Sequence, residues 1–128
     1  MVARSPDPKD NLLLVALPSV ECQRWLPHLE AVPLSLGQVL YESGATLVHV
    51  YFPTHSIVSL LYVMQNGASA EIAVVGFEGM VGVSLFMGSE STPSRAVVQS
   101  AGSAFRLRAQ RMTDEFNRAG PVLHVLLR

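Results

Sequence analysis

At 128 residues, 49% of them hydrophobic and only 15% charged, the chain has room for one ordinary domain with a sizeable core and is too apolar for a disordered tail. A formal net charge of -1 gives no general attraction to nucleic acid, so any DNA contact is expected to belong to a domain absent from this chain. The single cysteine, Cys22, excludes an intrachain disulfide and fits a buried, inert thiol in a reducing compartment. The N-terminus lacks a signal-peptide core and no apolar run approaches the ~20 residues needed to cross a bilayer, so a cytoplasmic protein without a membrane partner is expected.

Residues 1–10 carry two prolines and alternating charges and read as a flexible lead-in. Asn11 to Pro18 then predicts a short helix, because Asp10 or Asn11 can cap it and Pro18 cannot continue it. Ser19 is a good cap for a second helix over Val20 to Leu29, with Val20, Trp25, Leu26 and Leu29 on one face and Pro27 ending it early.

From Val32 the period changes. Val32 to Leu36 alternates, Gly37 breaks the pattern, and Gln38 to Glu42 resumes before Ser43-Gly44 turns the chain. Leu47 to Phe52 and Ile57 to Met64 are rich in β-branched and aromatic residues. Asn66-Gly67 lies between apolar runs, a strong hairpin signal, and makes Ala70 to Val75 the returning strand. Ala96 to Gln99 and Ala104 to Leu107 complete the set. In the latter, Phe105 and Leu107 are expected to face the core, with the guanidinium groups of Arg106 and Arg108 pointing outward to water. Short strands punctuated by glycine turns indicate a mainly β sandwich, roll or barrel. Thr113 can cap a C-terminal helical region over residues 113–128, and the strongly apolar Val122 to Leu127 falls within it.

The segment Val75 to Gly88 is the richest in chemistry. Gly76, Gly79 and Gly82 let backbone N–H groups approach a ligand, and Arg95 begins a later strand. An arginine fork facing clustered N–H donors is a sound phosphate or carboxylate site. The plainer reading makes the glycines turns and Arg95 a solvated strand end.

Val32 to Glu42, His49 to Thr54, Val58 to Leu61, Glu71 to Gly76 and Glu78 to Gly82 resemble the cyclic-nucleotide-binding sensor domain of catabolite-activator/FNR-type (Crp/Fnr) bacterial transcription regulators. The likeness implies a double-stranded, jelly-roll-like β-roll of about eight strands with short helices at both ends. It makes residues 11–128 one sensor domain, with no helix-turn-helix in this chain and a homodimer formed through the C-terminal helix. It also places a nucleotide-like or other anionic effector at Gly82, Val83, Ser84, Ser94, Arg95 and Ala96.

The family's motif is Gly-Glu followed about a dozen residues later by Arg-Ser/Thr-Ala. Here Val83 follows Gly82, and anchoring on Ala96 places Ser94 where the arginine belongs. Anchoring on Arg95 instead puts Ala96 at the hydroxyl position, and a one-residue slip moves a side chain to the other face. The alternative function is therefore a degenerate roll serving as a dimerisation or interaction module.

A third class, a cupin-type metal enzyme, would use His28, His49, His55 and His124, but His49-Val50-Tyr51 lacks the second histidine of a His-x-His pair. Nucleophile-elbow, phosphate-loop and Cys-x-x-Cys patterns are absent from the sequence, and the reading is not an enzyme, with no metal and no certain cofactor.

The proposed register of Phe105 can be tested directly. Phe105→Ala should destabilise the fold by about 3–5 kcal/mol, whereas Arg106→Ala should be nearly neutral. Equal losses in urea denaturation would place the strand in the wrong register.

Overall fold

Asn11 decides how the chain begins. Its side-chain oxygen accepts from the N–H groups of Leu13 (3.0 Å) and Leu14 (3.2 Å), which starts helix α1, Leu12–Ala16. In this computed structural model, which describes residues 7–16, 23–82 and 94–117, Asn11 is fully buried. Its amide donates outward to the carbonyls of Pro53 (2.7 Å) and Gly79 (2.9 Å). The N–H of Leu12 adds a bond to the carbonyl of Phe77. A helix of 5 residues cannot stand alone, and this one is held by what its cap grips.

The second expected helix is visible in part. Residues 23–25 are helical and pass into a tight turn, Leu26–His28, in which Pro27 ends the run. Trp25 is buried and Leu29 packs beside it, but Leu26 faces outward, so the expected apolar face is narrower than its sequence implied. Ser19, Val20 and Cys22 lie outside the described residues.

Among the described residues seven strands follow: β1 (Glu30–Leu34), β2 (Val39–Tyr41), β3 (His49–Pro53), β4 (Ile57–Val63), β5 (Ser69–Val75), β6 (Arg95–Ser100) and β7 (Gly102–Arg108). They form a 3-stranded sheet A, in the order β1-β7-β3, and a 4-stranded sheet B, in the order β2-β6-β4-β5. Among the described residues all the pairings are antiparallel, as in the expected roll, and the sheets do not close into a barrel. Val81 adds an antiparallel bridge to Tyr51 at the free side of β3. Pro33, which has no N–H to give, sits in edge strand β1.

The hairpin at Asn66-Gly67 forms, with a loop longer than two residues. Gly67 takes φ +87°, its N–H reaches the carbonyl of Met64, and Met64 N–H closes on Ala68.

Sheet A is buried on both faces. Val50, Phe52, Phe105 and Leu107 point one way, into a cluster with Leu14, Trp25, Met80 and Met112. Tyr51, Leu34 and Ala104 point the other way, into a cluster with Val58, Val81, Ala96 and Val98 from sheet B and the loop before it. The molecule is thus layered as helices, sheet A, then sheet B, and β3 reads as an almost continuous buried run for this reason.

The C-terminal helix starts earlier than a cap at Thr113 implied. Helix α2, Ala109–Asn117, continues directly from β7, with Ala109 N–H donating to the carbonyl of Val48. Thr113 lies inside it and returns its hydroxyl to the carbonyl of Ala109. Burial of Ala109 and Met112 against the core determines where the helix begins, and this overrides the local capping preference. The apolar run Val122 to Leu127 lies outside the described residues.

Substituting Asn11 by Asp keeps an equally good helix cap but removes both donors, turning a carboxylate toward the carbonyls of Pro53 and Gly79. Asn11→Asp should destabilise the protein by about 2–6 kcal/mol near neutral pH, from two buried acceptors losing their donor. The loss should shrink in acid, where the protonated carboxyl can donate one bond. A change within about 0.5 kcal/mol, the scale of an ordinary surface substitution, would show that the clamp carries no weight.

Candidate functional site

The glycine-rich turn after β5 is built by local forces. Glu78 folds back so that its carboxylate accepts from Gly76 N–H at 3.1 Å, and a Cβ on Gly76 would lie 2.9 Å from that carboxylate. Gly79 N–H donates to the carbonyl of Gly76, while Gly79's own carbonyl is taken by Asn11. Met80 enters the helix-side core and Val81 pairs with Tyr51 through two backbone bonds, of 2.8 and 3.0 Å. Gly82 then adopts φ +114°, and a Cβ there would stand 2.8 Å from Val50 Cγ1. Gly82 is required both by its left-handed backbone and by the close pass over β3. Val83 and Ser84 lie outside the described residues.

The opposite wall is the start of β6. Ser94 and Ala96 are buried, Ala96 within the cluster that holds Tyr51 and Val81. Ser94 forms a hydrogen bond with the Tyr41 hydroxyl, whose pKa is raised by burial and partly restored by that bond. Arg95 lies between them in sequence and therefore on the other face. Its Nε donates to a Glu42 carboxylate oxygen at 2.7 Å, and both side chains are well exposed. The structure thus brings Ser94 and Ala96 into the same interior that Val81 lines, and leaves Arg95 on the outer surface. Among the described residues, this part of the interior offers hydroxyl groups and no cation.

A cavity of about 310 Å³ lies at the other end of β4, lined by Thr54, His55, Ser56, Phe77 and Glu78 among others. His55 closes one side through an ion pair with Asp10 at 3.2 Å when protonated.

A further cluster, which no spacing in the sequence assembles, lies at the open end of sheet A. His28, Glu30, His49, Arg106 and Arg108 line a cavity of about 230 Å³ there. Arg106 is bonded through Nε to Glu30 and also engages the Tyr51 hydroxyl. The bond from Arg106 holds the Glu30 carboxyl below its usual range. Burial, then the nearby charges of Arg106 and Arg108, push the His49 imidazole below its usual range, against a smaller opposing pull from Glu30. The alternation in Phe105-Arg106-Leu107-Arg108 was the available signal, since it sets both guanidinium groups on one face. Its combination with His49 depends on strand pairing, which the sequence pattern did not specify.

The model of the family described as cyclic nucleotide-binding domain matches residues 31–119. No curated protein matches the chain in sequence. Among solved structures, the N-terminal domain of a transcriptional regulator from Streptomyces coelicolor A3(2) superposes with a TM-score of 0.68 at 24% identity, over 92% of this chain and 82% of that one. The sensor domain of the transcriptional regulator DNR from Pseudomonas aeruginosa gives 0.75 at 17% identity, over 93% and 80%. The c-di-GMP-responsive global regulator CLP from Xanthomonas campestris gives 0.70 at 15%, over 85% of this chain and 56% of that one. At these identities the likeness is one of fold.

The direction of the His49 shift fixes a pH dependence. A histidine whose folded pKa is depressed binds protons more readily in the unfolded state, so its contribution favours folding at high pH. That contribution should be lost as pH falls from about 6.5, the ordinary histidine value, through the lower folded pKa. In His49→Gln, the fall in midpoint denaturant concentration across this window should be smaller than in the parent. An unchanged slope would show that His49 is not under this strain.

Proposed function

This chain belongs to the cyclic nucleotide-binding domain family, and from that premise we propose that it is the regulatory sensor domain of a bacterial transcription regulator. The roll shared with the N-terminal domain of one transcriptional regulator and the sensor domain of another supports this reading. On this reading the effector sits between Gly82, Val83 and Ser84 on one side and Ser94, Arg95 and Ala96 on the other. Its signal leaves through the C-terminal helix. Helix α2 suits that role because it continues β7 without a loop, is bonded to Val48 just before β3, and buries Met112 in the helix-side core. A shift of either strand moves its first turn.

One observation separates this effector from a cyclic nucleotide. At the start of β6 the inward positions are Ser94 and Ala96, while Arg95 is turned outward onto Glu42. A cyclic phosphate placed inside would find no guanidinium without breaking that pair. Val83, at the position where the family's motif has glutamate, has nothing to accept a ribose hydroxyl. The same observation favours, as a second reading, a roll that binds no small molecule and serves for dimerisation or interaction. In both readings the chain acts as a homodimer through its C-terminal helix, carries no catalytic or metal centre, and reaches DNA only through another domain. We place it in the cytoplasm. Among the described residues no helix is long and apolar enough to cross a membrane.

Calorimetric titration with cyclic AMP and cyclic GMP tests the effector reading. The parent should show no sub-micromolar binding. Val83→Glu should bind about ten- to a hundredfold more tightly than the parent, the worth of one buried acceptor. Sub-micromolar binding by the parent would overturn the reading. Dimers by light scattering, with no binding in parent or variant, would favour the interaction module.

A further inference from the structure

We propose that the open end of sheet A binds a tetrahedral oxyanion, free or as the phosphate group of a small metabolite, held by Arg108 and His49. The proposal uses none of the residues assigned to the effector and stands or falls apart from that reading.

Strand register assembles the site. His49 of β3 pairs with Arg108 of β7, while Arg106 pairs with Tyr51 on one side and Glu30 of β1 on the other. The two-residue period continues the face of Val32, Leu34, Tyr51 and Ala104 outward to Glu30, His49, Arg106 and Arg108. The face that packs against sheet B near its middle therefore ends in a cluster of charges. His28, from the turn before β1, completes the wall.

The arrangement has a donor to spare. Arg106 is committed to Glu30 and Tyr51. Arg108, by contrast, has no ion-pair or hydrogen-bond partner for its side chain among the described residues, and it faces the same cavity. Two guanidinium groups stand against one carboxylate, leaving a surplus positive charge beside a half-buried imidazole. Burial first, and then that surplus, hold the His49 imidazole below its usual range. An anion seated between Arg108 and His49 removes the repulsion and gains charge-assisted bonds from a planar fork suited to oxyanions. A cavity of about 230 Å³ is below the range of sites for drug-sized ligands, which limits the guest to an ion or a small phosphorylated molecule.

Binding and His49 protonation are then linked, each favouring the other. The groups facing His49 are Arg106 and Arg108 from β7, Glu30 from β1 and His28 from the preceding turn. The two guanidinium groups keep their charge between about pH 5.5 and pH 8.

Sulfate is the first probe, because its charge is constant over that range. It is titrated at fixed ionic strength in chloride, followed by calorimetry and by amide chemical shifts. The expected result is a saturable shift centred on residues 28–30, 49 and 106–108, tighter at acid pH. Arg108→Gln should weaken it at least about tenfold, Arg111→Gln, at an exposed arginine outside the cavity, should leave it unchanged, and His49→Gln should reduce its pH dependence. Both arginines are at least partly exposed, so neither change threatens the fold. Glycerol 3-phosphate forms the second arm. Tighter binding than sulfate assigns the site to phosphate esters, and equal binding assigns it to the free ion. Shifts spread evenly over the surface, or equal weakening by Arg111→Gln, would overturn the proposal, as would the absence of saturation by either probe.

Discussion

The fold turns on one fully buried amide. Asn11 uses both lone pairs of its oxygen to start α1 and both hydrogens of its nitrogen to hold the carbonyls of Pro53 and Gly79. Those two carbonyls belong to the end of β3 and to the turn that leads into Met80 and Val81. A single side chain thus fixes the helix, the last residue of the central strand and the approach to Gly82. Gly102 imposes the complementary constraint. A Cβ there would fall 1.7 Å from the carbonyl oxygen of His55, so the β6–β7 turn and the β3–β4 turn touch backbone to backbone. Ser56 and Thr54 reinforce that contact by bonding to Ser103.

Because these contacts secure the ends of sheet A, the sheet can be covered on both faces without closing into a barrel. Phe52 and Phe105 are cross-strand neighbours on the helix face, and Trp25 lies over them with ring centroids 6.2 Å apart from Phe52. Tyr51 and Ala104 serve the other face. Strands β3 and β7 therefore link the interior facing sheet B mechanically to α2, whose first turn is buried against the helix-side core. Sheet B is coupled less tightly. Its edge strand β5 is exposed along almost its whole length, with Ile72 and Val74 open to solvent.

The fold was legible in the sequence wherever a local period matched a local environment. The alternation at Phe105 and Leu107, the Asn66-Gly67 turn and the Asn11 cap all depend on neighbours a few residues away. The helix start at Ala109 was not legible, because it is set by Val48 and by burial of Met112, whereas Thr113 and Asp114 gave only a local capping signal. The candidate site divides in the same way. That Arg95 and Ala96 must face opposite ways follows from strand geometry, but which of them faces inward depends on the pairing of β6 with Tyr41 and Leu60. The basic cluster needed the register of three strands at once, and no spacing in the sequence brings His49 beside Arg108.

The placement of charge carries a consequence for how this roll can respond to a ligand. A guanidinium at the Ser94 position would stand among Tyr41, Ala96 and the core of sheet B, where an uncompensated cation costs several kcal/mol. Such a roll would depend on its ligand for part of its stability. Ser94 removes that dependence, since its hydroxyl is bonded to Tyr41 within the chain. At the open end of sheet A the cations are solvated, and Glu30 already compensates one of them. Ser94 with Tyr41, and Glu30 with Arg106, are paired within the chain, so a ligand bound at either place would act on strand position only through its differential affinity.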